Sequence, residues 1–354
     1  MEALKLDEQH DNPLGVAGFE FIEFAAPEPE QLHELFTQMG FSAVGKHQSR
    51  DIVFYRQGGV NFLLNREPGS FALKFAEKHG PSCTGFALRV AHRQTAFQST
   101  VANGAKAMTE AAGCAMDCPR IEGVGGSLLY LVDGRDGSPF NAEYVPVEGA
   151  DVNPKGFGLV HVDHLTHNVF EGHMDEWADY YTRLFGFYEA RYFDIRGQQT
   201  GLRSRAMTAP NGQISIPINE SSEANSQINE YLEAYNGEGI QHIALYTNDI
   251  YATVESMRAA GLGFMETPDT YYELIEQRVP EHGEDIARMK KNQILLDADP
   301  ETGSKQLLQI FTDTCIGPIF FEIIKRKGNT GFGEGNFQAL FDSIELDQMR
   351  RGVL

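Results

Sequence analysis

Short stretches of alternating apolar and polar residues, separated by turn residues, predict strands along most of the chain. Residues 19–24 alternate with period two, which is the spacing at which side chains share one face of a strand. In residues 30–39 the apolar positions recur at helical spacing instead, and Gly40 follows where a C-terminal cap is expected. The chain therefore begins with a strand and then a helix.

The same order of a strand, a helix and several strands recurs along the sequence. The pattern predicts strands near 52–55, 60–64, 86–90, 128–132, 142–147, 162–169, 192–195, 205–208, 213–217, 240–247, 307–312 and 319–325, and helices at 94–102, 174–185 and 250–260. Residues 146–158 are rich in proline, glycine and charge, which is typical of a linker. We therefore expect four copies of one module, paired into domains at 1–150 and 151–354.

Three predicted strands in the second half each hold one potential metal ligand among apolar residues: His164, His242 and Glu322. Burying such a polar side chain is costly unless it is paired. Two histidines and one carboxylate on one face of a metal are typical of non-haem ferrous oxygenases. The alternatives are ordinary core histidines and a Glu322 that pairs with Lys325 or Arg326.

Counting residues supports an equivalence between the two halves. Each candidate ligand is followed by a glycine that ends a helix or forms a turn. In the first half, one residue lies the same number of positions before a corresponding glycine. The count aligns His164 with Gly18, His242 with Gly85 and Glu322 with Glu143. On this alignment only the second half has a complete ligand set.

Other histidines near His164 form a competing cluster. Side chains alternate along a strand, so His161 and His167 are predicted to point away from the face that carries His164. Valine and threonine around them favour a strand over a helix. We therefore expect supporting or surface roles for His161 and His167.

Composition narrows the class of protein. The 354 residues are 42% hydrophobic and 11% aromatic, which excludes a disordered chain. A formal charge of −21 disfavours nucleic acid and anionic membranes as partners. The first fifteen residues are polar, and no stretch is apolar over the length of a membrane span, so a cytoplasmic protein is expected.

Two further motifs carry no function of their own. Cys114 and Cys118 lack a second pair of ligands for a zinc site, and free thiols are expected. The glycines at 123–126 lack the strand–turn–helix setting of a dinucleotide fingerprint, so we interpret them as a turn. No nicotinamide site is predicted.

Seven stretches together resemble the 4-hydroxyphenylpyruvate dioxygenase family of the vicinal oxygen chelate superfamily, along essentially the whole chain. They are Gly18–Phe24, Asp163–Asn168, Pro217–Glu220, Gly239–Ala244, Leu307–Phe311, Phe320–Ile324 and Gly331–Phe337. The resemblance implies an α+β fold of two domains, each an open mixed-sheet barrel built from paired βαβββ modules. It also implies a ferrous ion (Fe2+) on His164, His242 and Glu322 in the second domain.

The resemblance implies an activity and a substrate pocket as well. The expected reaction converts 4-hydroxyphenylpyruvate and dioxygen into homogentisate and carbon dioxide, in tyrosine and phenylalanine catabolism. The family pattern assigns nine further residues to the pocket, five polar and four aromatic: Ser204, Asn219, Gln227, Gln241, Gln309, Phe311, Phe320, Phe332 and Phe337. For Ser204 and Asn219, ordinary turn positions are the alternative.

The last segment, residues 336–349, has apolar residues at helical spacing after several glycines, which suits a lid over the iron or a terminal helix that only seals the barrel.

The resemblance also makes a homo-oligomer an expectation. Two rival functions remain on the same scaffold. One is hydroxymandelate synthesis from the same substrate, and the other is metal-free binding of a small molecule.

Overall fold

The computed structural model describes residues 10–134, 138–196, 201–223, 225–299 and 303–340. The first half contains β1 (Gly18–Ala25), α1 (Glu30–Gln38), β2 (Ser42–His47), β3 (Ile52–Gln57), β4 (Val60–Asn65), α2 (Phe71–His79), β5 (Ser82–Arg89), α3 (Arg93–Ala102), β6 (Arg120–Glu122), β7 (Leu128–Val132) and β8 (Tyr144–Pro146). Short 3-10 turns cover Val124–Gly126 and Pro139–Ala142. The second of them occupies the start of the strand expected at 142–147.

The second half repeats the order of the first. It contains β9 (Leu159–Asn168), α4 (Met174–Phe185), β10 (Tyr188–Arg196), β11 (Gly201–Thr208), β12 (Ser215–Glu220), α5 (Gln227–Tyr235), β13 (Gly239–Thr247), α6 (Ile250–Ala259), α7 (Asp269–Glu273), α8 (Ile275–Arg278), α9 (Ile286–Asn292), β14 (Leu295–Ala298), β15 (Gln306–Phe311) and β16 (Phe320–Lys327). The predicted α+β class is confirmed.

Local sequence explains how several helices begin and end. Ser70, Ser226 and Asp249 each accept a hydrogen bond from a backbone N–H in the first turn of the following helix, which satisfies a donor that has no partner within the helix. Helix α4 ends at Gly186, whose φ of 72° lies in the left-handed region that glycine adopts without strain. In the described part of the chain, no helix is long and apolar enough to cross a membrane.

The strands form two mixed sheets of eight strands each within the described residues. Their orders are β6-β7-β5-β1-β4-β3-β2-β8 and β10-β11-β12-β9-β13-β16-β15-β14. In both sheets the first strands of two modules pair antiparallel at the centre, β1 with β5 and β9 with β13. Each of them also pairs parallel with a later strand of its own module: β1 with β4, β5 with β7, β9 with β12 and β13 with β16. The pairing confirms the predicted repeat.

The register of these pairs corrects the equivalence obtained by counting. Ala244 lies opposite both His164 and Glu322, and the corresponding Ala87 lies opposite Phe21 and Tyr130. The counting was therefore wrong for two positions: Phe21 replaces Gly18, and Tyr130 replaces Glu143. Only the match of Gly85 to His242 stands, because loops of unequal length shifted the other counts.

The first half has no room for a metal ligand at the position of His242. A Cβ atom on Gly85 would lie 2.5 Å from the carbonyl oxygen of Leu128. The hydroxyl of Tyr130 donates to Oε2 of the fully buried Glu23 at 2.7 Å, and Ala115 and Met116 are buried in the same apolar cluster as Tyr130. Side chains thus fill this barrel.

One continuous apolar core joins the two halves. It includes residues from both sheets, and Phe62 of β4 stacks on Phe321 of β16 with ring centroids 5.9 Å apart. The Oε1 of Gln57 accepts the backbone N–H groups of Phe157 and Leu159, at 2.6 and 3.2 Å. The segment that leads into β9 is therefore fixed against the first half.

Candidate metal centre

Three neighbouring strands bring His164, His242 and Glu322 together on one face of the second sheet. His164 Nε2 lies 3.1 Å from Glu322 Oε2, and His242 Nε2 lies 3.6 Å from the same oxygen. The three ligand atoms are all within 4.8 Å of one another. Strand β13 lies between β9 and β16, so hydrogen-bonded register alone places the three side chains around one point.

The chemistry of the cluster fits a divalent cation. Oε1 of Glu322 is buried and has no hydrogen-bond partner among the described residues, and such an atom is costly to leave unpaired. Imidazole nitrogens and one carboxylate form a set that suits first-row transition metals, including non-haem iron. The predicted triad is therefore assembled as a candidate metal site.

The two histidines differ in their electrostatics. Burial lowers the pKa of His164, but the Glu322 charge and the Asp163 hydrogen bond outweigh it and raise this pKa to about 9. Burial, with the charge of His164 beside it, holds the pKa of His242 well below its ordinary value. Near pH 7 the raised pKa favours the protonated form of His164, and the lowered pKa favours the neutral form of His242.

Each histidine is oriented by a hydrogen bond to its other ring nitrogen. His164 Nδ1 donates to Asp163 Oδ1 at 2.8 Å, and His242 Nδ1 donates to Gln241 Oε1 at 2.9 Å. The hydroxyl of Thr166 lies 2.9 Å from His242 Nε2. A carboxylate or amide on Nδ1 fixes the tautomer that leaves Nε2 free to bind a metal.

Aromatic rings surround the histidines. Phe320 stacks on His242 with centroids 5.0 Å apart, and Phe311 approaches the same ring edge-on at 6.4 Å. Phe332 lies edge-on to His164 at 5.3 Å. Three of the four predicted apolar wall residues therefore lie at the cluster.

The predicted polar pocket residues fall into two groups. Ser204 and Asn219 are buried and face each other as cross-strand partners in β11 and β12, so the turn alternative is wrong. Gln309 is buried, and its Oε1 accepts from Asn336 Nδ2 at 3.1 Å. Gln227 is exposed at the first position of α5.

The start of the C-terminal segment lies beside this pocket. Residues 334–340 are helical, and the predicted lid continues outside the described residues. Asn336 and Ala339 are buried, whereas Phe337 is 38% exposed. The turn that begins the helix directs Asn336 inward to Tyr271, whose hydroxyl donates to it at 2.6 Å, and the role of Phe337 as a pocket wall stays a prediction.

The competing histidines lie away from the cluster. His161 is exposed and stacks on Tyr246 with centroids 4.7 Å apart. His167 is fully buried, with Nε2 2.7 Å from the hydroxyl of Tyr181, and burial lowers its pKa to about 3. A surface role for His167 is therefore wrong, although the prediction that it faces away from His164 agrees with the structure.

Sequence reasoning missed the residues that hydrogen-bond to the candidate ligands or to their partners, above all Asp163, Thr166 and Arg326. Arg326 was considered as a partner of Glu322, but its guanidinium binds Asp163 through two hydrogen bonds of 2.7 and 2.8 Å. The available signal was an acidic residue directly before the ligand His164 in an otherwise apolar strand. Its partner could not be read from the sequence, because the two residues are 163 positions apart.

Sequence comparison places this fold and site in a known class. Residues 159–275 match the model of the glyoxalase/bleomycin resistance protein/dioxygenase superfamily, and residues 10–144 match that of the N-terminal region of hydroxyphenylpyruvate dioxygenase. The second half of the chain, which holds the candidate metal site, thus has the fold of a superfamily that includes dioxygenases.

Full-length relatives define the family. The chain is 52% identical to the 4-hydroxyphenylpyruvate dioxygenase of Pseudomonas aeruginosa across the whole of both chains. It is 50% identical to that of Pseudomonas sp. strain P.J. 874 over 98% of each chain. The chain belongs to the 4-hydroxyphenylpyruvate dioxygenase family.

A solved structure shows the same fold at lower identity. A triple mutant of 4-hydroxymandelate synthase from Streptomyces coelicolor superimposes with a TM-score of 0.80, covering 95% of this chain and 100% of that one, at 22% sequence identity. The fold is therefore shared between proteins named for different products.

Proposed function

We propose that the protein is an iron(II)-dependent dioxygenase that converts 4-hydroxyphenylpyruvate and dioxygen into homogentisate and carbon dioxide. The observation that carries the proposal is the His164, His242 and Glu322 cluster within a chain about half identical to enzymes of that name. His164, His242 and Glu322 would hold the ferrous ion. When bound, the ion supplies positions for chelation of the 2-oxoacid and for activation of dioxygen.

The protein residues have the task of orienting the substrate. We propose that the phenol ring lies between the aromatic side chains of Phe311, Phe320 and Phe332, which already surround the two histidines. Holding the ring carbon that bears the side chain near the metal favours hydroxylation there, followed by migration of that side chain.

Neutral polar groups complete the proposed pocket. Ser204, Asn219, Gln241 and Gln309 can hydrogen-bond the phenol or water without adding a charge that competes for the metal. Gln227 and Phe337 are exposed, and we propose that they line the entrance. The remaining predictions, a domain boundary near residue 150, a cytoplasmic location and a homo-oligomer, rest on the sequence and the family.

The main rival is hydroxymandelate synthesis, which uses the same substrate and shares the fold. Purified, iron-loaded protein should be incubated with 4-hydroxyphenylpyruvate and air, and the products separated by chromatography. Homogentisate as the main product supports the proposal, and 4-hydroxymandelate as the main product refutes it. A metal-free binding protein is the other rival, and failure of the purified protein to bind Fe2+ would favour it.

Substitutions connect that product to the cluster. His164→Ala, His242→Ala and Glu322→Ala should each abolish homogentisate formation. Glu143→Ala is the matched control, since Glu143 pairs with His47 at 3.2 Å in the first half and away from the cluster. Turnover that persists in all three ligand variants would refute the assigned site.

A further inference from the structure

Arg326 makes contacts in two directions from the strand that carries Glu322. Its Nε and one terminal nitrogen donate to the two oxygens of Asp163 at 2.8 and 2.7 Å. The other terminal nitrogen donates to the backbone carbonyls of Gly331 at 2.5 Å and Asn329 at 3.3 Å. One guanidinium thus joins a side chain of β9 to the segment that follows β16.

The first direction leads to a metal ligand. Asp163 accepts from His164 Nδ1 at 2.8 Å, so Arg326 holds the carboxylate that holds the imidazole. The Asp163 side chain is only 10% exposed. Burial raises the pKa of Asp163, but the hydrogen bonds and charge of Arg326 outweigh it and hold this pKa far below its usual range.

The second direction leads to Phe332. Its ring is edge-on to His164 at 5.3 Å, and the Arg326 guanidinium lies 5.7 Å from the centre of the same ring. The N–H of Gly331 is bound by Asn329 Oδ1 at 2.6 Å, which closes the turn around the arginine. Arg326 therefore contacts both the Phe332 ring and the carboxylate that accepts from His164.

We propose that Arg326 is a positioning residue that couples metal binding at His164 to the order of residues 328–337. The inference rests on the proposed function only in requiring a divalent metal at the cluster. Energetic coupling is reciprocal, so if the ordered segment favours metal binding, metal must order the segment to the same extent. During turnover this coupling would hold Phe332 in its position beside His164 once the metal is bound.

Arginine is suited to this role because of its geometry. Its planar fork serves a carboxylate through two nitrogens and still presents further N–H groups to the carbonyls. A lysine can keep the charge but cannot hold four oxygens in these directions. Arg326→Lys therefore separates the effect of charge from the effect of bridging.

The experiment uses the full-length apoprotein with Co2+ as the metal probe. The variants are Arg326→Gln, Arg326→Lys and, as matched control, Arg89→Gln. Arg89 pairs with Glu20 at 2.5 Å, and Glu20 stands at the register position that corresponds to Asp163. For each protein, Co2+ affinity is measured by titration, and hydrogen exchange of amides 328–337 is compared with and without Co2+.

The wild type and Arg89→Gln should show slower exchange of residues 328–337 when Co2+ is bound. Arg326→Gln should lose this protection and bind Co2+ about tenfold to a hundredfold more weakly, as is usual when the group orienting a ligand is disturbed. Arg326→Lys should also lose the protection. It serves as the deciding variant if circular dichroism shows that Arg326→Gln does not fold.

A loss of Co2+ affinity smaller than threefold, Co2+-induced protection that survives without Arg326, or no such protection in the wild type would each overturn the inference. None of these measurements needs turnover. If Arg326→Gln behaves like wild type and still forms homogentisate, the coupling fails and the proposed function stands. If the coupling is present but the wild type forms no homogentisate, the proposed function fails and the coupling stands.

Discussion

Metal binding should release a proton from His164, and its affinity should therefore depend steeply on pH. In the metal-free protein the pKa of His164 is about 9, above the ordinary value near 6.5. A metal can bind Nε2 only after that proton leaves. At pH 7 the two units of difference correspond to about 3 kcal/mol, on the order of a hundredfold weaker apparent affinity than above pH 9.

The direction of the effect follows from the raised pKa. Affinity should increase about tenfold per pH unit between pH 7 and 9 and level off above it. The same proton stabilises the metal-free fold fully below the unfolded pKa near 6.5, and this contribution is lost as pH rises through 9. The two trends are opposite in sign, so metal should protect the protein most at high pH.

The assay is calorimetric titration of the apoprotein with Co2+ in two buffers of different ionisation enthalpy. Near pH 7 the difference in heat should correspond to about one proton released per metal bound, and the release should fall toward zero above pH 9. Glu143→Gln, which alters a histidine–carboxylate pair in the other half, should leave this result unchanged. An affinity that is constant from pH 7 to 9 and independent of the buffer would refute the reasoning.

Three further predictions concern residues around the cluster. His167→Ala should retain Co2+ binding but lower the free energy of unfolding by roughly 1–3 kcal/mol, because it leaves the buried hydroxyl of Tyr181 unpaired. Loss of Co2+ binding by this variant in a calorimetric titration would contradict the prediction. Burial raises the pKa of Glu23 above 4.5 despite its hydrogen bonds, so the stability of the wild type should fall as pH rises through that pKa. Glu23→Gln should remove this fall. In urea unfolding from pH 5 to 8, the free energy of unfolding of the wild type should fall by at most about 1.4 kcal/mol per pH unit. Gly333→Ala should impair homogentisate formation, because its Cβ would overlap Oε1 of Gln309. Gly328→Ala has a similar φ of 79°, and its Cβ would meet only Lys305 Cγ at an ordinary contact distance of 3.8 Å, so it should cost only about 1–2 kcal/mol of backbone strain. If both glycine variants reduce activity equally, Gln309 is not the reason.

Much of the local structure was predictable because it depends on residues close together in sequence. Alternation identified β1 and β9, and helical spacing with a terminal glycine gave α4 its observed bounds, Met174–Phe185. The pattern missed α2 and α5. Their helical faces are short, and tertiary burial of residues such as Phe75 and Tyr231 stabilises them.

The sequence by itself identified the three candidate ligands, since three polar side chains in apolar strands are recognisable without coordinates, and its motifs indicated the family that the full-length relatives show. Tertiary structure alone decided which first-half residues correspond to them, because register is set by hydrogen bonds between distant strands and not by residue counts. It also decided the partner of Asp163, which lies far away in sequence, and the inward turn of Asn336 in place of Phe337. Such contacts join residues that are far apart in the sequence, and the local patterns of a single sequence do not show which distant residues will lie side by side.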